Sequence, residues 1–158
     1  MGMSSYRECA LEGASAVDLV VALYDGMIRF LYAAISAVEC GDATARRVAV
    51  KRTLDIIIHL QARLRMDVGG RPAQALSEFY ASIFAQILQA SQSASRGKFE
   101  HAIECVRNVR DAWKQVASES EMLANEPRYG AISSPDPRLQ TETAGVVPVD
   151  AGPSNWTA

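Results

Sequence analysis

The sequence is poor in the residues that chemistry needs. Only two histidines and three cysteines occur in 158 residues. Cys9, Cys40 and Cys105 form no close pair and leave an odd thiol over, which argues against a disulfide framework and reads as buried or half-buried thiols. A di-iron helical bundle would need Glu-x-x-His on two inward-facing helices, and that motif is absent. Asp55 and His59 stand four apart, half of a metal site at best, but both fall on the polar face of their helix, and His101 also points outward. No Ser/His/Asp or Cys/His set, Gly-rich phosphate loop or paired buried carboxylates can be picked out. The expectation is no enzyme, no cofactor and no metal.

An excess of charge of either sign is lacking as well. Sixteen basic residues against eighteen acidic ones leave a net charge of −2, which gives no electrostatic reason to expect nucleic acid. Arg46, Arg47, Lys51 and Arg52 look like a basic run but scatter around a helix at ~100° per residue. The apolar stretch from Leu19 is interrupted by Asp25 and Arg29, short of the ~20 residues of a membrane span. Met1 to Ser5 lacks the basic and apolar regions of a secretory signal, and Tyr6 stands where myristoylation needs Ser or Thr. A cytoplasmic chain without membrane insertion is expected.

Proline is almost confined to one end. All but one of the six prolines lie beyond Glu126, among glycines and serines without helical or strand period. The chain therefore divides into a helical domain over residues 1 to 124 and an expected disordered tail over 125 to 158, with Val146, Val147, Val149 and Trp156 among its apolar groups. No strand pattern or internal repeat is seen.

What is present is helical periodicity. Helices are expected over about 16 to 40, 43 to 66, 72 to 95 and 98 to 123. Ser15 with Asp18 makes a weak capping box before the first, Gly41 stops it, Asp42 caps the second, Gly69-Gly70 and Pro72 open the third, and Gly97 ends the third. Connections this short make an antiparallel up-down four-helix bundle, an all-α fold, with residues 1 to 14 as a short helix or flexible N-terminal arm.

The helices have more apolar surface than a simple bundle requires. On the first, Leu19, Leu23, Met27, Phe30 and Ala34 form one stripe and Val20, Tyr24, Leu31, Ile35 and Val38 a second, an arc of roughly 240°. On the second, Ile56 and Leu60 lie at one edge of the arc and Ile58 at the other. On the third, Tyr80, Phe84 and Leu88, spaced four apart, line one flank. The fourth has a single stripe through Phe99, Ala102, Val106, Val109, Trp113 and Val116. Spare apolar faces on helices one to three have two readings: a self-associating structural bundle, or a groove for an amphipathic helix.

Several segments bear on that choice. Leu23-Tyr24-Asp25-Gly26 with Arg29-Phe30-Leu31, then Gly69-Gly70 with Leu76-Ser77-Glu78-Phe79-Tyr80, Leu88-Gln89-Ala90, and Arg110 to Gln115 (RDAWKQ) occur in order between Tyr6 and Gln115. This series resembles the flagellar export chaperones of the FliS family. Ser15-Ala16 departs from that family's Ser-Pro and Ser91 from its frequent Asn, the arm from Tyr6 is short, and the tail is longer than usual. The resemblance implies a four-helix bundle that binds the C-terminal segment of flagellin, keeps it unpolymerised and export-competent, and meets the cytoplasmic domain of the flagellar type III export gate. Under that reading the partner-facing candidates are Tyr24, Leu31, Ile56, Leu60, Tyr80, Phe84 and Leu88, with Tyr6 on an N-terminal lid.

Overall fold

The computed structural model describes residues 3–125, which form four helices: α1 (Met3–Glu39), α2 (Ala43–Ala62), α3 (Gly70–Gln92) and α4 (Arg96–Asn125). No strand occurs among the described residues. The tail expected beyond residue 125 lies outside them. α1 packs most extensively on α4 and α2, and α3 closes the bundle between α2 and α4.

Side-chain contacts fix the register of α1 against α4. Glu39 meets Arg96 at 2.6 Å, and Asp25, fourteen residues earlier, meets Arg110, fourteen residues later, at 2.9 Å. The two helices are therefore antiparallel and in step over four turns. Between those pairs the Arg107 guanidinium donates to the Tyr32 hydroxyl at 2.9 Å.

The width of α1's apolar arc follows from this position. Tyr24, Met27, Leu31 and Ala34 are fully enclosed, while Ile28, Ile35 and Ala37 keep less than a tenth of their surface. Ala16–Glu39 is by length and composition apolar enough to cross a bilayer, since Asp25 and Arg29 do not interrupt the helix. Its apolar side chains pack on the other helices, with Ile83, Ile87, Phe99, Ala102 and Val106 completing the centre. Thr53 is buried among them, and its hydroxyl donates back to the Ala49 carbonyl at 3.1 Å.

The structure extends α1 to Met3, whereas the sequence suggested a start near Ala16. Met3 to Ala14 contains mostly good helix formers and no proline, so the Ser15 box interrupts nothing. With 37 residues against 20 in α2, α1 runs on past the end of its neighbour.

The α1–α2 turn is as expected. Gly41 adopts φ +69°, Gly41 and Asp42 donate to the Val38 and Ala37 carbonyls, and the Asp42 carboxylate accepts from the Ala45 amide at 2.9 Å. The α3–α4 turn repeats the first part of that motif without its glycine. Ala94 and Ser95 donate to Ser91 and Ala90, Ala94 takes φ +45°, and Gly97 falls inside the first turn of α4. An L-residue in the left-handed region costs roughly 1–2 kcal/mol, part of which a glycine returns to unfolded-chain entropy. Ala94→Gly is accordingly expected to raise the unfolding free energy by about 0.5–1 kcal/mol in urea denaturation, and Gly41→Ala to lower it by about 1 kcal/mol.

Candidate functional site

α2 carries three consecutive isoleucines, and helical geometry sends them three ways. Ile57 enters the core, Ile56 leans half-buried toward α1, where its Cδ1 lies 3.4 Å from a Cβ built on Gly26, and Ile58 stays 56% exposed. Ile58 lies on the side of α2 that faces α3. There the two helices leave an open groove of about 380 Å³ lined by Ile57, Ile58, Gln61, Ala62, Ser77, Tyr80, Ala81 and Phe84. Its wall carries no charge. The Gln61 side-chain amide donates to the Ser77 hydroxyl at 2.8 Å, which ties α2 to α3 within it.

α3 moves from core to surface along its Tyr80, Phe84, Leu88 line. Four residues advance a helix by ~400°, so each step turns the line 40° outward. Tyr80 is buried, Phe84 is half-buried, and Leu88, 38% exposed, continues the apolar surface one turn beyond the groove. Tyr24, Leu31 and Leu60 are core residues; Tyr24 and Leu31 have no exposed surface. Of the seven apolar candidates, Phe84 and Tyr80 line the groove, Leu88 prolongs it, and Ile56 sits on the opposite side of α2. Tyr6 belongs to the helical backbone of α1, and its side chain falls outside the described residues. Six groove residues, Ile57, Gln61, Ala62, Ser77, Ala81 and Ile58, are missing from the sequence-based set, and the large apolar side chain most exposed among them is Ile58. Its signal was its position at the α2 arc edge opposite Ile56 and Leu60, on the side where Ala62 follows.

A second depression of about 470 Å³ lies between α1 and α2, lined among others by Phe30, Ala33, Asp42, Val48 and Arg52. Its character differs. The Arg52 guanidinium sits 5.5 Å from the centre of the Phe30 ring, a cation–π contact across the seam, and Asp42 is engaged as the α2 cap. Lys51 pairs with Asp55 at 2.8 Å on the exposed side of α2, so Asp55 is part of a surface ion pair. His101 Nε2 and Cys105 Sγ approach to 3.8 Å on α4, yet no group of three or more metal-ligating side chains occurs among the described residues.

Behind the α2/α3 groove lies a polar contact in the core. The hydroxyls of Tyr24 and Tyr80 meet at 2.8 Å, with ring centres 6.5 Å apart. Burial pushes the Tyr24 hydroxyl well above its usual range, and the bond to Tyr80 adds to this. Burial also raises Tyr80, partly offset by its bond with Tyr24. In the unfolded chain both ionise near pH 10. Because the folded state retains those protons, stability from this pair is fully present below about pH 10 and is lost as pH rises further. Urea midpoints should fall above that pH, and less steeply in Tyr24→Phe/Tyr80→Phe; equal slopes would contradict the assignment.

The sequence segments that occur in order along the chain thus include structural partners. Tyr24 and Asp25 on α1 engage Tyr80 on α3 and Arg110 on α4, and the Asp25 carboxylate holds the Arg110 guanidinium above its ordinary value. They build the scaffold that presents the groove.

A family model described as flagellar protein FliS matches residues 2–120. The flagellar secretion chaperone FliS of Vibrio cholerae is 31% identical over 113 residues, 72% of this chain and 83% of the relative. That of Salmonella typhimurium is 30% identical over 124 residues, 75% of this chain and 92% of the relative. The Bacillus subtilis chaperone of the same name is 25% identical over 128 residues, covering 81% and 92% of the two chains.

Proposed function

The chain belongs to the FliS family of flagellar secretion chaperones, which are non-catalytic, and from that premise we propose that its α2/α3 groove binds the C-terminal segment of flagellin. The observation that carries this reading is an uncharged groove walled by Ile58, Ala62, Ala81 and Phe84 and prolonged by Leu88. An amphipathic helix fits such a wall, with anchors at three- and four-residue spacing.

The client's apolar stripe is what must be hidden. Flagellin termini bury that stripe in the filament, and in the cytoplasm it would otherwise promote polymerisation. Covering it in the groove yields apolar contact energy of roughly 25 cal/mol per Å², while ordering the segment costs about 2–5 kcal/mol. That cost keeps the complex reversible. Release at the cytoplasmic domain of the export gate then needs no covalent step.

The same uncharged wall could bring two copies of the chain together. Size-exclusion chromatography with light scattering separates the readings: the expected result is a discrete complex with flagellin that lengthens the lag of filament assembly. A chain that self-associates and leaves the lag unchanged would overturn the proposal.

A further inference from the structure

Tyr80 has two faces, and they do different things. Its ring lines the α2/α3 groove beside Ala81 and Phe84, whereas its hydroxyl is turned inward, 2.8 Å from the hydroxyl of Tyr24. Only 2% of Tyr80 is exposed, so the residue is floor and not rim. We infer that Tyr24, which has no exposed surface, is a positioning residue for the client site: it holds Tyr80 down through the hydroxyl pair and so keeps the groove open. This rests on the groove being the client site.

The physical reason is the cost of an unpartnered buried hydroxyl. No other hydrogen bond is made by the Tyr80 hydroxyl among the described residues. If Tyr24 loses its oxygen, the Tyr80 hydroxyl is left without a partner in an apolar interior, a larger loss than the net value of the bond itself. The groove is the open side of Tyr80. Swinging the ring toward it would restore hydration and fill the space that a client anchor needs.

The two tyrosines should therefore respond differently. Tyr24→Phe strands a hydroxyl on the groove residue and is expected to weaken binding of the flagellin C-terminal segment about tenfold. Tyr80→Phe removes that hydroxyl, leaves an apolar floor in place, and is expected to bind within about threefold of the unaltered chain. The double variant Tyr24→Phe/Tyr80→Phe should bind like Tyr80→Phe, recovering most of the loss. A purely structural role would lower the melting temperature of the variants without this pattern in affinity.

The experiment is calorimetric titration of that segment into the unaltered chain, the three tyrosine variants and Phe84→Asp, each first checked by circular dichroism and thermal melting. A tenfold loss for Tyr24→Phe that the double variant recovers is the expected result. If Phe84→Asp abolishes binding but Tyr24→Phe binds within twofold of the unaltered chain, or its loss is not recovered in the double variant, the positioning role is overturned and the groove stands. Should Phe84→Asp bind like the unaltered chain, the groove reading falls and this inference with it. A Tyr24→Phe chain that does not fold also overturns it, since the residue is then required for the bundle itself.

Discussion

Leu31→Ala is expected to destabilise the bundle by about 2–5 kcal/mol and to act on binding only through the loss of folded protein. Leu31 has no exposed surface and belongs to the cluster that joins α1 to the other helices. Removing three carbons there loses their transfer energy and leaves a cavity that the surrounding helices cannot fully close. A domain of this size is typically stable by about 5–15 kcal/mol, so the change removes a large fraction of the total. Urea denaturation followed by circular dichroism measures it. Unchanged stability with lost flagellin binding would mean that Leu31 faces the partner after all.

Phe84→Asp is expected to give the opposite pattern, with flagellin binding weakened about 100-fold or more and the fold retained. Phe84 is half-buried, packs on the core with one face and lines the groove with the other. Truncating a groove aromatic commonly costs about 2 kcal/mol or more in binding, and the new carboxylate must also lose water when the client docks. Together these exceed the roughly 2.7 kcal/mol that corresponds to 100-fold. The unliganded groove is open to solvent, so the aspartate stays hydrated and the fold loses only the packing of a partly covered ring, about 1–2 kcal/mol. The check is affinity by calorimetry beside a urea melt of the same sample.

Contrasting these two residues shows what could be read in advance. The α1 arc, with its two apolar stripes, is wider than one neighbour covers, and α1 does pack on both α2 and α4. Gly41 and Asp42 mark their turn because glycine and aspartate perform there what few other residues can. Ala94 gives no such mark, since the left-handed position is imposed by the turn on a residue that does not favour it. Burial was harder to read than helicity. Periodicity places Tyr80, Phe84 and Leu88 on one line, but the 40° drift per step that takes this line from core to surface matters only once the neighbour's position is known. Nor could the choice between Ile56 and Ile58 be made from α2 alone, because both stand at edges of its arc and α1 or α3 decides which edge is covered. The Tyr24–Tyr80 bond joins residues 56 apart, beyond any local pattern.

The central claim is that the client lies between α2 and α3. Its most direct test is a photo-crosslinking amino acid placed at Ala81, an exposed position within that groove, with the same group at Val48 beside the α1/α2 depression for comparison. Irradiation of the complex and mapping by mass spectrometry should give strong crosslinks from position 81 to the C-terminal segment of flagellin and weaker ones from position 48. Crosslinks from position 48 with none from position 81 would contradict the assignment.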